Sequence, residues 1–169
     1  HICSFRAYLI GDDDVVIAVR DNELVTIPRA EADVTEPNNH WIILRHDEEK
    51  TYCLYNLGTG YYLTIGTKPG LAEIPHKITI GSSYGYFTFR EGSKALGLDA
   101  DGKPATVSIA KAVRMELLDN YYLTPKTELC EALLEQTTSA AIATGIEELD
   151  NGEWIMEYDG DFEGASLSD

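Results

Sequence analysis

Between Thr51 and Ile65 the chain reads TYCLYNLGTGYYLTI, two short aromatic and aliphatic runs on either side of a polar turn. Tyr52, Cys53, Leu54 and Tyr55, and then Tyr61, Tyr62, Leu63 and Ile65, are residue types that suit a pleated, half-buried strand. Between them, Asn56-Leu57-Gly58-Thr59-Gly60 supplies two glycines that accept positive φ and an Asn that can hydrogen-bond its own backbone. The pattern predicts a hairpin. The same rhythm recurs on both sides: runs at 3–10, 15–20, 23–27 and 40–44 precede it. Runs at 52–57, 61–65, 71–74 and 77–80 contain it, and 86–90, 95–98, 105–109 and 113–118 follow.

The breaks between runs have turn chemistry. Gly11-Asp12-Asp13-Asp14 and Arg20-Asp21-Asn22 are polar, Asp101-Gly102 is a hairpin signal, and residues 66–70 and 81–85 are rich in Gly, Ser and Thr. The connection 28–39 carries Glu, Asp, Asn and Pro without apolar periodicity and reads as an insertion into the first unit. Alternation at Val113, Met115 and Leu117, and at Ile78 and Ile80, turns those side chains inward and leaves Arg114, Glu116 and Thr79 outward. Strands in three groups of four, repeating every roughly 35 to 45 residues, predict an all-β architecture built by repetition. A closed threefold barrel capped by hairpins, the β-trefoil, fits best because closure removes exposed strand edges. A propeller normally needs more blades; a two-sheet sandwich is the rival.

After Leu123 the texture changes, placing the β-trefoil domain at 1–125 and a helix plus acidic extension or linker at 126–169. Residues 127–136, TELCEALLEQ, space Leu129, Leu133 and Leu134 helically, with Thr127 as cap. Residues 144–149 and 153–158 have some strand character, and 159–169 reads as disordered.

Charge sharpens this division. Of 29 acids and 13 Lys and Arg, 17 acids and all 13 bases lie at or before Lys126, a balance of −4; the other 12 acids follow without a base, a balance of −12. A net charge of −16 repels phosphate backbones and anionic lipid, which argues against nucleic-acid and membrane partners. The tail is expected to stay solvated, so removing 150–169 is expected to leave the melting temperature nearly unchanged. No apolar run approaches the roughly 20 residues that span a bilayer. The chain opens His-Ile-Cys without Met or leader, which suggests a processed product or an excised piece. Cys3, Cys53 and Cys130 lie far apart and form no C-x-x-C pair; three reduced, mostly buried thiols are the expectation, with one bridge plus a free thiol as the alternative.

Chemistry is sparse. His1, His40, His46 and His76 show no metal-ligand spacing and read as surface or loop residues. The acidic groups at Asp12–Asp14, at Asp99 and Asp101, and at Asp159, Asp161 and Glu163 lack the rest of a calcium loop and read as turns or solvated tail. No nucleophile-elbow, P-loop or dinucleotide motif is present, so the expectation is no enzyme, no cofactor and no metal. Ten tyrosines against four phenylalanines is the stronger lead, since Tyr offers a flat face to a sugar's C–H surface and a hydroxyl to its rim. Filling barrel-to-cap junctions is the plainer use of the same residues.

The hairpin's wording, Tyr-x-Leu-x-Asn-x-x-Thr-Gly-x-Tyr-Leu, resembles the opening of a repeat in ricin-type β-trefoil domains, and with the threefold rhythm the likeness covers roughly residues 3–118. That family's Gln-x-Trp signature is only partly met, by Asn39-His40-Trp41 in the first unit, Pro75-His76-Lys77 in the second and Lys111-Ala112-Val113 in the third; Trp41 then reads as core. The resemblance implies a carbohydrate-binding module of a larger protein, its partner a glycan or polysaccharide, with Asn56, Tyr61 and Tyr62 of the second unit as its site. The run Ala-Thr-Gly-Ile-Glu-Glu-Leu is similar to segments leading into sorting regions of exported Bacteroidetes proteins, implying a secreted or cell-surface location. The alternative is a non-lectin trefoil that packs against another protein or another domain of the same precursor.

Overall fold

The computed structural model describes residues 2–9, 15–33, 36–46, 48–83, 86–123 and 153–156. Its strands are β1 (Ile2–Leu9), β2 (Val15–Arg20), β3 (Glu23–Pro28), β4 (Trp41–His46), β5 (Tyr52–Asn56), β6 (Tyr62–Thr64), β7 (Gly70–Ala72), β8 (Thr79–Ser83), β9 (Tyr86–Glu91), β10 (Lys94–Leu98), β11 (Pro104–Ser108), β12 (Met115–Leu123) and β13 (Trp154–Met156). Short 3-10 turns occur at Arg29–Glu31, Pro37–Asn39 and Ile109–Lys111, and there is no α-helix among the described residues. Each of the twelve predicted runs holds a strand. β12 reaches further than the predicted 113–118 because β1 pairs along its whole length, from Ile2↔Leu123 to Leu9↔Met115.

Every pairing is antiparallel, and six strands form a ring. β12 pairs with β1, β1 with β4 through Phe5↔Trp41, and β4 with β5 from Trp41↔Asn56 to Arg45↔Tyr52. On the other side β8 pairs with β9, and β9 with β12 through Met115↔Phe87. Tyr52 and Ile78 close the ring by exchanging backbone hydrogen bonds of 2.7 and 2.6 Å. The remaining strands make the hairpins β2–β3, β6–β7 and β10–β11. The first turns on Asp21 and Asn22, both at positive φ (53° and 59°), residue types that tolerate the left-handed region a two-residue hairpin needs.

The core follows from the two-residue period. β2 contributes Ile17 and Val19, β4 Trp41 and Ile43, β5 Tyr52 and Leu54, and the second hairpin Leu63 and Ile65. Ile78 and Ile80 enter from the start of β8, Phe87 and Phe89 from β9, Leu96 and Leu98 from β10, and Val113 and Met115 from the start of β12. One i, i+2 step therefore recurs in the second and fourth strands of all three groups, and in the first strands of the second and third. Full burial stabilises by about 1.5–3 kcal/mol for each large aliphatic or Phe side chain, far above the ~0–1 kcal/mol of a surface ion pair. Trp41 belongs to this interior, and its Nε1–H donates to the Ile17 carbonyl at 3.1 Å.

The connection 28–39 is ordered by a buried polar residue. Asn39 donates through Nδ2 to the Asp33 carbonyl at 3.0 Å, and its Oδ1 accepts from Arg20 Nη2 at 2.8 Å. Ala32 packs beneath the same segment against Val16 and Ile27.

Two expectations need correction. His40 is completely buried and His46 nearly so, rather than at the surface. The extension also does not stand wholly apart, because β13 pairs with β4 as Trp154↔His46, Ile155↔Arg45 and Met156↔Leu44. Trp154 is 6% exposed, its ring edge-on to His46 with centroids 5.0 Å apart. His46 Nδ1 accepts backbone N–H from Glu48 and Glu49 at 3.3 and 3.2 Å, so the ring proton sits on Nε2, 3.6 Å from Glu153. The strand character of 153–158 is realised at Trp154–Met156, and β4 has an edge to receive it beyond its one pairing to β1. The helix expected at 127–136 and the segment 159–169 lie outside the described residues.

Met115 is fully buried, so Met115→Asp is expected to abolish the cooperative thermal transition by placing an unpaired carboxylate in the core. Trp154→Ala should cost about 3 kcal/mol in denaturant unfolding; an unchanged midpoint would show that β13 adds nothing to the barrel.

Candidate functional site

The β5–β6 turn is built by Asn56. Its backbone N–H donates to the Tyr61 carbonyl at 2.8 Å, and its own carbonyl accepts from Gly60 N–H at 2.9 Å. Its Oδ1 accepts from the backbone N–H of Thr59 at 3.1 Å and from the Thr59 hydroxyl at 3.0 Å. On the other side Nδ2 donates to the carbonyls of Asn38 at 3.0 Å and His40 at 3.4 Å. Asn56 is fully buried, so it braces the turn from behind and presents no amide to solvent. The glycines belong to the same construction. A Cβ on Gly58 would collide with Asn38, and Gly60 sits at φ +76° with the Tyr55 hydroxyl 3.3 Å from where its Cβ would be.

Three tyrosines gather at this turn. Tyr55 and Tyr62 are cross-strand partners, with ring centroids 5.3 Å apart and planes at 65°, an edge-to-face pair worth about 0.5–1.5 kcal/mol beyond burial. Tyr55 is buried; Tyr61 and Tyr62 are half-buried. The structure thus brings all three predicted site residues to one turn: Asn56 braces it from behind, Tyr62 rests on Tyr55, and Tyr61 is tied in through its backbone, its carbonyl to Asn56 and its N–H to the Thr59 hydroxyl at 3.3 Å. Sequence reading placed Tyr55 in a strand without its role here; its ring is the support on which Tyr62 rests. Only the register of β5 against β6 could have shown that.

A second polar cluster joins the second and third groups. The Glu91 carboxylate accepts from Ile65 N–H at 3.1 Å and from the Thr64 hydroxyl at 3.3 Å, and lies 3.3 Å from His76 Nδ1. Its geometry is that of a cap on the second hairpin. Asp99 does similar work in the third, its Oδ1 accepting from Asp101 and Lys103 N–H at 2.8 and 3.0 Å. No cluster of three or more metal-ligating side chains occurs among the described residues. Cys53 is free and buried, and burial pushes its thiol well above the ordinary range; the side chains of Cys3 and Cys130 lie outside the described residues.

No protein-family model and no curated protein matches the chain. Among solved structures the chain is similar to a mosquitocidal holotoxin, with a TM-score of 0.55 and 17% identity over 70% of this chain. The likeness is one of fold. It takes in 18% of the holotoxin chain, so this chain corresponds to a small part of a longer protein there.

Burial, with the neighbouring Cys53 and Tyr55, raises the Tyr62 phenol to about 12 from its ordinary 10.0, and burial raises Tyr55 as well. A proton held more tightly in the folded chain gives stability that is complete below the unfolded phenol's value and lost as pH climbs to the folded one. An ultraviolet phenolate titration should therefore show a class of tyrosines ionising late, with unfolding eased between pH 10.0 and about 12. Tyr62→Phe should remove part of both effects.

Proposed function

We propose that the chain is a β-trefoil of the ricin type and that it serves as a carbohydrate-binding module of a larger secreted or surface protein. The architecture is supported by the threefold recurrence of i, i+2 core pairs and by the ring of six strands carrying three hairpins. The fold likeness to the holotoxin fits a ricin-type fold. On this reading residues 1–125 form the trefoil and 126–169 the extension, with 154–156 laid along β4. The role is recognition rather than catalysis.

The observation that carries the reading is the Tyr55–Tyr62 ring pair on one rigid turn, with half-buried Tyr61 next to it in the chain. A tyrosine ring offers a sugar its flat apolar face, and among the described residues no protein group hydrogen-bonds the hydroxyls of Tyr61 and Tyr62. Asn56 contributes by fixing the turn, so the rings are pre-organised and little conformational entropy is lost on binding. Single sites of this kind are weak, and repetition in a larger assembly adds avidity. One observation favours a second reading, a packing domain that binds no sugar: the amide of Asn56 is consumed entirely inside the fold.

A glycan array with immobilised chain separates the two. Neutral glycans should be retained, and Tyr62→Ala should weaken the best of them about tenfold, roughly 1.4 kcal/mol, in a chain that still unfolds cooperatively at a somewhat lower melting temperature. Silence across all neutral glycans would favour the packing role.

A further inference from the structure

The outer face of the third group of strands carries an open cleft of about 230 Å³, bounded by Gly81, Thr88, Arg90, Ile109, Ala110 and Arg114. Its shape follows from register. Phe87 and Phe89 of β9 point into the core, so Tyr86, Thr88 and Arg90 share the opposite face. Gly81 of β8 stands beside Thr88 and, having no side chain, leaves a hollow there. The pairing Met115↔Phe87 brings Arg114 alongside, with its guanidinium carbon 5.5 Å from the centre of the Tyr86 ring. The 3-10 turn Ile109–Lys111 forms the far wall, on which Ile109 is 42% exposed.

Two arginines therefore line one small hollow, and neither forms an ion pair among the described residues. This is notable in a chain of 29 acids and 13 Lys and Arg, where counter-charges are plentiful. Like charges sharing a cleft repel, and an anion seated between them relieves that repulsion. Guanidinium presents a planar fork that matches a carboxylate with two parallel hydrogen bonds. The tyrosine ring beneath Arg114 limits where that fork can point.

We propose that this cleft binds the carboxylate of an acidic sugar unit, a uronic or sialic acid. Arg90 and Arg114 hold the carboxylate, Thr88 offers a hydroxyl to the ring's own hydroxyls, and Ile109 supplies an apolar edge for a C–H face. The carboxylate follows from the two arginines; its being carried by a sugar rests on the glycan-binding reading above. The site is separate from the tyrosine turn, which belongs to the second group of strands.

Calorimetric titration of the full chain with glucuronate, N-acetylneuraminate, glucose and inorganic sulfate tests the proposal. At least one of the two acids should bind, with glucose at least about tenfold weaker under the same conditions. Arg90→Gln and Arg114→Gln should each weaken that acid about tenfold or more. Ala110→Glu, on the exposed wall, should abolish binding by supplying a competing carboxylate, with melting temperature unchanged. The proposal is overturned if neither acid binds better than glucose, if both arginine variants bind normally, or if sulfate binds as tightly as the acids. Tyr62→Ala keeps the two sites distinguishable: it should leave acid binding at the cleft intact while weakening neutral-glycan binding about tenfold. Loss of acid binding in Tyr62→Ala with none in the arginine variants would place the ligand at the turn and overturn the cleft.

Discussion

The molecule depends on a ring that a single two-way hydrogen bond completes. Tyr52 and Ile78 exchange N–H and C=O at 2.7 and 2.6 Å, and among the described residues this bridge is the only ladder contact between β5 and β8. Without it both strands would present unpaired backbone, and the side chains they turn inward would face water along that seam. With it, alternation converts closure into a core: each ring strand must send every second residue to the same interior. Tyr52 and Ile78 are themselves two of those residues, at 1% and 0% exposure, so the closing bond is shielded by the groups it brings together.

Polar groups inside such a barrel have to be satisfied locally, and two asparagines show how. Asn39 ties the long first connection to Arg20 of β2, while Asn56 joins the β5–β6 turn to the carbonyls of Asn38 and His40. Leu57 N–H also donates to the His40 carbonyl at 3.0 Å, so the carbonyls of one stretch, Asn38 to His40, accept three hydrogen bonds from the turn. Leaving one buried amide group unpaired costs about 1–3 kcal/mol, enough to keep this joint in one arrangement. The rigidity of the tyrosine turn is therefore inherited from the neighbouring unit.

Much of this was legible beforehand, for a physical reason. Strand period, turn residues and glycine positions are local, and they located all twelve runs and the inward alternation of Ile78, Ile80, Val113 and Met115. Pairings between distant segments are not local. Nothing in Trp154-Ile155-Met156 by itself says that β4 has an edge to spare, and the surrounding acids point the other way. Asn56 turns its amide inward, which the sequence does not reveal, because a side chain that accepts from its own turn looks the same there as one that faces a ligand. Arg90 and Arg114 lie 24 positions apart and meet only through the pairing of β9 with β12.

The distribution of charge bears on what such a surface can hold. A net charge of −16 suggests a chain that excludes anions, yet 12 of the uncompensated acids follow Lys126, and the part before it is at −4. Between exposed charges, interactions fade over about 8–10 Å at ordinary ionic strength, so a ligand responds to the groups within that radius and hardly to the total. Arg90, Arg114 and the Tyr86 ring lie inside that radius of the third-group hollow; the sum over the whole chain governs solubility and the avoidance of nucleic acid instead. An acidic protein can thus keep a locally cationic cleft, provided that the cleft's arginines are not drawn into ion pairs of their own. That condition is met here: among the described residues the ion pair Glu49–Lys77 and the carboxylate contacts of Glu153 with His46 and of Glu91 with His76 involve neither arginine.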